Sequence, residues 1–341
     1  MSKSNLPAAQ ESNRIRSRAA AIIGSTVVWD NHGCMPLRAD ESFLPQLERY
    51  RKAGVTVASI NVGFAEIPWT KHLGVLSFMR RWIACRPDKY RLIATADEVD
   101  LCKREGKLGI IFDIEGMCPV QDNLSLVQTF YELGVRWMLV AYNHSNAAGG
   151  GCLDRDEGLT TTGRAVIDEM ERVGMVLCLS HTGARTAAEA LEYARGPVIF
   201  SHSNPYGDTP HPRNISDPLM RACARKNGVV GLSGIGPYLG AANHLVARLL
   251  RQLRYVIDLV GAEHVGLGLD YVFDRTELDE LVRGNPTLFP RGMGVGAGMP
   301  MIEPEGILEI TEGLLRDNLT EEQIRSILGL NWLRVAKRVW K

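Results

Sequence analysis

The chain has 341 residues, and 45% of them are hydrophobic, which is enough to build a large buried core. Its 39 Lys and Arg residues balance 39 Asp and Glu residues, so charge gives no argument for binding nucleic acid or an anionic membrane. We therefore expect a small-molecule substrate, with no nucleic-acid or membrane partner.

The cellular location is predicted from apolar runs and cysteines. No apolar stretch reaches the length that a membrane-spanning helix needs, and the residues before the first apolar run are polar. The seven cysteines form no C-x-x-C pair, a pattern typical of reduced cysteines in the cytosol. These features predict a cytoplasmic protein.

Short apolar runs recur along the chain. They are rich in Val, Ile and Leu with little polar alternation, which is typical of parallel strands buried on both faces. The eight predicted strands are Thr26–Trp29, Val55–Ile60, Leu108–Ile114, Arg136–Ala141, Met175–Leu179, Val198–Phe200, Val229–Leu232 and Val265–Leu269.

Amphipathic segments separate these strands. They are Glu41–Lys52, Leu124–Leu133, Thr160–Val173, Arg185–Ala194 and Leu245–Val260. The alternation favours an α/β fold of the closed (β/α)8 type, a TIM-type barrel forming a single domain over residues 1–341. The alternative, an open doubly wound sheet, would want a Gly-x-Gly-x-x-Gly turn after an early strand, and the sequence has none.

Three segments lie outside the predicted barrel repeat. Residues 1–20 are interpreted as an N-terminal arm. Residues 271–303 are rich in Gly and Pro and predict a long loop over the barrel mouth. Residues 304–341 predict two C-terminal helices, Pro304–Arg316 and Glu321–Val339, the second after an N-cap at Thr320.

A (β/α)8 barrel carries its active site at the carboxyl ends of its strands. Polar residues follow several of the predicted strands at that end. They are His32 and Cys34 after the first strand, Glu115 after the third, Tyr142, Asn143 and His144 after the fourth, His181 and His202 after the fifth and sixth, and Asp270 after the eighth. Imidazoles and carboxylates are the ligands that Zn²⁺ and similar ions prefer. A glutamate among histidines can also bridge two ions, and such a pair lowers the pKa of a shared water.

The sequence resembles the membrane (renal) dipeptidase family of zinc peptidases from about residue 20 to residue 336. The resemblance is carried by Leu179-Ser180-His181, by residues 197–203, by His211-Pro212-Arg213-Asn214 and by residues 327–335. It implies a (β/α)8 barrel, one or two zinc ions, and cleavage of the amide bond of dipeptides by a metal-activated water. Members of the family often dimerise, so the resemblance is also compatible with a homodimer.

The resemblance also implies roles for single residues. His181 and His202 would bind one zinc, His32 would bind the other, and Glu115 would bridge the two. Arg213 would hold the terminal carboxylate of the substrate, since a guanidinium fork suits that task. Asp270 would accept the proton of the attacking water and pass it to the leaving amine.

The sequence departs from the family pattern at three positions. Cys34 stands where the family's His-x-Asp motif has a carboxylate zinc ligand, so either the thiolate binds the metal or that metal is weak or absent. Tyr142 stands where the family usually has a histidine that donates a hydrogen bond to the substrate's oxyanion. The Tyr142 hydroxyl can donate the same hydrogen bond, and so can His144. Asn143 between them is counted with them as a substrate-binding candidate, and Val272 replaces a second acid.

These departures leave two alternatives to a zinc-dependent dipeptidase. One is a related amidohydrolase that acts on another small amide or a lactone. The other is a degenerate barrel that binds a small acid without turning it over, which loss of a metal position through Cys34 would favour.

Overall fold

The computed structural model describes residues 6–296 and 298–341, and within them eight parallel strands close into a barrel. The barrel strands are β1 (Trp29–Cys34), β2 (Val57–Phe64), β4 (Leu108–Glu115), β5 (Val135–Leu139), β6 (Val176–Cys178), β7 (Val198–Phe200), β8 (Val229–Leu232) and β9 (Val265–Leu267). Pairing of Asp30 with Leu267 joins the last barrel strand to the first. Two short strands, β3 (Tyr90–Leu92) and β10 (Tyr271–Val272), pair with β4 and β1. The predicted (β/α)8 fold is confirmed.

Helices surround the barrel. They are α1 (Leu6–Ser25), α2 (Leu47–Lys52), α3 (Trp69–Ala84), α4 (Asp97–Glu105), α5 (Ser125–Glu132), α6 (Thr161–Val173), α7 (Ala184–Tyr193), α8 (Asp217–Arg225), α9 (Gly236–Leu239), α10 (Leu245–Val260), α11 (Arg275–Gly284), α12 (Ile307–Arg316), α13 (Glu321–Arg325) and α14 (Asn331–Val339). Short 3₁₀ turns cover Leu44–Gln46, Ala262–His264, Arg291–Met293 and Pro304–Gly306, and a π-helical turn, Ser326–Leu330, joins α13 to α14. Within the described residues, no helix is long and apolar enough to cross a membrane.

Local sequence explains why these helices begin and end where they do. The side chain of Thr160 accepts a hydrogen bond from the backbone N–H of Gly163 at the start of α6, and Gly174 ends that helix in the left-handed conformation. The predicted N-cap at Thr320 is confirmed, because Thr320 and Gln323 form a reciprocal capping box at the start of α13.

The predicted bounds of the first strand are wrong. Thr26–Trp29 was expected, but β1 runs from Trp29 to Cys34, so His32 and Cys34 lie on the strand itself rather than after it. An apolar run predicts a strand only where the side chains of that strand face the apolar core. Here the second half of the strand carries polar side chains into the barrel mouth.

The segments outside the repeat contain more regular structure than predicted. The predicted arm is largely helix α1, which packs against α12 and pairs Arg16 with Glu312 at 3.3 Å; residues 1–5 lie outside the described residues. The predicted loop of residues 271–303, called the lid below, contains β10 and α11. Asp274 caps α11 by accepting hydrogen bonds from the backbone N–H groups of Thr276 and Glu277.

Candidate active site

The histidines converge on one carboxylate oxygen at the barrel mouth. Oε1 of Glu115 lies 3.3 Å from Nε2 of His181, 3.3 Å from Nε2 of His202 and 3.6 Å from Nε2 of His32. All four residues are buried. Oε1 has no hydrogen-bond donor, although a buried carboxylate oxygen ordinarily has one. A buried carboxylate oxygen without a donor, surrounded by three imidazole nitrogens, is a donor set that a metal ion can use.

Each histidine is oriented through its other ring nitrogen. Nδ1 of His32 lies 3.3 Å from the carboxylate of Asp113, and Nδ1 of His181 lies 2.7 Å from Oδ1 of Asn143. Nδ1 of His202 lies 2.7 Å from the hydroxyl of Ser201. Such outer contacts fix ring orientation and tautomer and leave Nε2 free to ligate a metal.

Burial sets the protonation of this cluster. It lowers the pKa of His181 and of His202 well below the usual value, so both imidazoles are neutral, the form that binds metal. Burial raises the pKa of Glu115 to about 8. Burial also opposes a charge on His32, but the carboxylates of Asp113 and Glu115 outweigh it and raise that pKa well above its usual range.

Cys34 and Asp270 form the second half of the cluster. Sγ of Cys34 lies 3.5 Å from Nε2 of His32 and 3.5 Å from Oδ1 of Asp270. The same carboxylate oxygen is 3.5 Å from Nε2 of His32. Burial raises the pKa of the Cys34 thiol to about 12 and also raises the pKa of Asp270. The structure thus brings the predicted ligands and the predicted proton acceptor into one group.

The spacing of these atoms fits zinc. Imidazole and carboxylate atoms at about 2.0–2.1 Å from a tetrahedral ion are roughly 3.3 Å apart, and a thiolate–imidazole pair is roughly 3.6 Å apart. The distances from Glu115 to His181 and His202 and from Cys34 to His32 match these values, and the 3.6 Å from Glu115 to His32 is slightly longer. The Nε2 atoms of His181 and His202, at 2.9 Å, are somewhat closer than this ideal.

Arg213 lies beside the cluster as a buried cation. One Nη donates to the backbone carbonyl of His202 at 3.2 Å, and the guanidinium lies 5.3 Å from the centre of the Tyr238 ring. Its Nε has no acceptor, and no carboxylate among the described residues lies within 4 Å. A buried guanidinium with unused donors is suited to bind an anionic group of a ligand.

The three predicted residues after β5 have different surroundings. Tyr142 lines the cavity, and its ring stacks on His181 with centroids 4.1 Å apart. Asn143 is fully buried between His181 and the lid, where its Nδ2 donates to the carbonyl of Leu288 at 3.2 Å.

His144 points away from the cluster. Its Nδ1 lies 2.7 Å from Asp154, and its Nε2 lies 2.8 Å from the backbone carbonyl of Thr287 in the lid. Because both ring nitrogens are engaged, the structure does not bring His144 to the metal cluster as a donor for substrate.

Backbone strain marks the same strand ends. Asn143, His181 and Asp270 have φ values of 60°, 63° and 63°, in the left-handed region that residues other than Gly rarely adopt. Strain of this kind concentrates at functional sites, where the surrounding structure over-determines the conformation.

A cavity of about 160 Å³ opens onto the cluster and is closed on one side by the lid. Glu115, His181 and Asp270 form part of its floor, and its walls are mainly apolar. The apolar wall residues include Phe64, Ile67, Leu278, Leu281, Phe289 and Met299.

Sequence reasoning missed the residues that support the ligands. Asp113 orients His32 and is itself held by Ser59 at 2.6 Å and Asn61 at 3.0 Å. One signal was available: Asp113 stands two residues before Glu115 in the same strand, and alternate residues of a strand point to the same side. No comparable signal marks Ser59 or Asn61, because they come from the neighbouring strand β2.

Comparison with known proteins agrees with this geometry. The family model for membrane dipeptidase, peptidase family M19, matches residues 32–281. An uncharacterized dipeptidase of Schizosaccharomyces pombe is 32% identical over 76% of this chain and 60% of its own length. Dipeptidase verJ of Clonostachys rogersoniana is 29% identical over 74% of this chain and 61% of its own length.

A solved structure extends the comparison to nearly the whole chain. The amidohydrolase from Pseudomonas aeruginosa superposes with a TM-score of 0.85 at 26% identity, covering 94% of this chain and 99% of that one. The matched segment spans about three fifths of the length of the two curated relatives. The chain belongs to the membrane dipeptidase family, a family of metallo-dipeptidase-like hydrolases, and the resemblance seen in the sequence is confirmed.

Proposed function

We propose that this protein is a zinc-dependent hydrolase that cleaves the amide bond of dipeptides. The observation that carries the proposal is the convergence of His32, His181 and His202 on one unpaired oxygen of Glu115. Membership of the dipeptidase family supports it independently.

The proposed metal ligands are the residues predicted from the sequence. His181, His202 and Glu115 would hold one ion, and His32, Cys34 and the same Glu115 would hold a second. When bound, a divalent metal polarises a carbonyl group and makes a coordinated water more acidic.

Arg213 is proposed to bind the carboxylate of the substrate. Its guanidinium is buried and lies close enough to Glu115 and Asp270 for their charges to act on it. A dipeptide whose carboxylate binds there would have its amide bond close to the metal cluster. This would restrict the enzyme to substrates with a free terminal carboxylate.

Asp270 is proposed to move the proton. Its carboxylate lies 3.5 Å from Nε2 of His32, at the edge of the cavity, and burial raises its pKa. A raised pKa lets a carboxylate hold a proton taken from water long enough to give it to a leaving amine. Tyr142 would donate a hydrogen bond to the developing oxyanion.

The cavity suits a small substrate with an apolar side chain. Phe64, Leu281 and Phe289 line its apolar wall. Burial of one Leu- or Phe-sized side chain there would contribute about 1.5–3 kcal/mol to binding. We therefore expect dipeptides with an apolar residue to be better substrates than those with charged ones.

The proposal is tested by metal stoichiometry on freshly purified protein together with turnover of a dipeptide panel that includes D-residues. Two zinc ions and turnover are expected, and Asp270→Asn should lower kcat by about 10²–10⁴-fold. One metal or none, with no turnover after zinc is added, would refute hydrolysis and favour a barrel that only binds small acids. Turnover confined to lactones or other amides would point to the related amidohydrolase.

Cytoplasmic location and a homodimer stay predictions. Subcellular fractionation tests the first. Light scattering of the purified chain tests the second, with a mass twice the monomer's 37.7 kDa expected for the dimer.

A further inference from the structure

A small cavity lies at the opposite end of the barrel from the metal cluster. It is bounded by the amino-terminal parts of the barrel strands and by α14, and we call it the floor cavity. Its lining residues are Trp29, Asn31, Ile111, Arg136, Trp137, Val176, Ile199, Trp332, Val335, Ala336 and Trp340. The ring of Trp137 separates it from the metal cluster, with centroids 5.5 Å from His32 and 6.4 Å from His202.

Four residues that line the floor cavity carry a buried N–H donor without an acceptor. The donors are Nδ2 of Asn31, Nε of Arg136, and Nε1 of Trp137 and Trp340. Asn31, Arg136 and Trp137 are 2%, 4% and 2% exposed. A single unpaired buried donor costs about 1–3 kcal/mol, so four around one cavity indicate that something accepts from them.

Arg136 adds a positive charge to this group. Its Nη atoms donate to the backbone carbonyls of Tyr131, Val135 and Ala94, which are neutral acceptors. Its guanidinium lies over the rings of Tyr131 and Trp340, 4.4 Å and 5.4 Å from their centres, and forms no salt bridge within the described residues. Burial lowers the pKa of Arg136, as expected for a cation that lacks a full counter-charge.

These side-chain donors match an anion better than they match a water. A water needs acceptors for its own hydrogens, and among the described residues lining the cavity no side-chain acceptor is left unpaired. Oδ1 of Asn31 already accepts from Nε1 of Trp29 at 3.0 Å. An anion only accepts, so it can use every free donor without leaving a hydrogen unpaired.

The size of the floor cavity narrows the class of anion. Its volume is about 20 Å³. One water-sized species needs about 10–15 Å³ by the same measure, so the space beside these donors holds one monatomic ion.

We propose that the floor cavity is a binding site for one monatomic anion of the size of chloride, held by Asn31, Arg136, Trp137 and Trp340. The ion supplies the counter-charge that Arg136 lacks and ties β1 and β5 to the end of the chain beyond α14. The proposal does not depend on the proposed hydrolysis.

Thermal unfolding of the metal-loaded full chain tests the site. Sodium chloride is titrated against sodium gluconate at constant ionic strength, since gluconate is too large for the cavity. We expect the unfolding midpoint to rise with chloride and to saturate, by about 4 °C at a concentration one hundred times the dissociation constant.

Two variants and a matched control locate the effect. Asn31→Asp places a carboxylate among the donors and should abolish the chloride dependence; Trp340→Phe removes one free donor and should weaken chloride binding about fivefold. Trp332→Phe removes an indole N–H on the same cavity wall that already donates to the carbonyl of Leu267 at 3.2 Å, so the dependence should remain. If Asn31→Asp does not fold, the chloride dependence of the unfolding midpoint in Trp340→Phe still tests the site.

A crystal grown in sodium bromide provides the direct readout. Bromide should give an anomalous peak in the floor cavity, which distinguishes this site from halide bound at the metal cluster. Equal unfolding midpoints in chloride and gluconate, or an anomalous map that is empty at the floor, would overturn the proposal.

Discussion

Replacement of Asn143 by Gly tests how far the metal cluster depends on the residues behind it. The carboxamide of Asn143 accepts from Nδ1 of His181 at 2.7 Å and donates to the carbonyl of Leu288 at 3.2 Å. Asn143 has φ = 60°, a conformation that Gly adopts without strain. Asn143→Gly therefore removes both hydrogen bonds while leaving the backbone able to keep its path.

The expected loss follows from the contact to His181. Removing the partner that orients a ligating histidine typically costs 10- to 100-fold in metal affinity, or about 1.4–2.7 kcal/mol. We expect the upper half of that range, because Asn143 is fully buried.

Asn143→Asp is the matched control. Its carboxylate still accepts from His181, so metal affinity should stay within a few-fold of the wild-type value. It cannot donate to the carbonyl of Leu288 and should repel it, so the lid should exchange amide hydrogens faster.

Chelator competition at fixed pH measures the metal affinity, and hydrogen exchange of residues 275–290 measures the lid. Wild-type metal affinity in Asn143→Gly would refute the reasoning, because it would mean that His181 holds its orientation without Asn143. Equal losses in the Gly and Asp variants would also contradict it.

Three further predictions concern the substrate, the second metal position and the lid. Arg213→Met should lower kcat/KM for dipeptides by about 10- to 150-fold, the value of hydrogen bonds to a charged group, and should leave dipeptide amides nearly unaffected; equal losses for both substrates would contradict the carboxylate role. Cys34→Asp should strengthen zinc binding or leave it unchanged in a chelator titration, and a sharp loss would show that the thiolate is the working ligand. Desolvation lowers the pKa of His144, but hydrogen bonds to Thr287 and Asp154 outweigh it and raise the pKa. The stabilisation of the lid by charged His144 should therefore be complete below the unfolded-state pKa of about 6.5, and it should disappear as pH rises through the raised pKa of the folded protein. Hydrogen exchange of the lid at several pH values measures this loss.

The barrel could be predicted from the sequence because its strands are buried on both faces and therefore read as continuous apolar runs. The pattern failed at β1, where half of the strand faces the active-site mouth and carries His32 and Cys34. It also missed α3, whose apolar residues mark one face of a helix but whose sequence between Trp69 and Ala84 carries no capping side chain.

The candidate ligands could be predicted because a barrel brings the carboxyl ends of its strands together whatever their separation in sequence. Their supporting residues could not, since a contact such as that of Asp113 with Ser59 depends on the register between two strands. The orientation of the His144 side chain could not be predicted from the sequence either, because it depends on the path of the lid.

The two metal positions differ in what must happen before an ion binds. His181 and His202 are neutral in their buried setting, so neither has a proton to lose. Cys34 stands at ligand distance from His32, but its thiol has a pKa of about 12 and must release its proton to a binding metal. Metal binding that releases a proton becomes weaker as pH falls. We therefore expect the position formed by His181, His202 and Glu115 to fill first, and the position that includes Cys34 to be the one that empties first under mild acid.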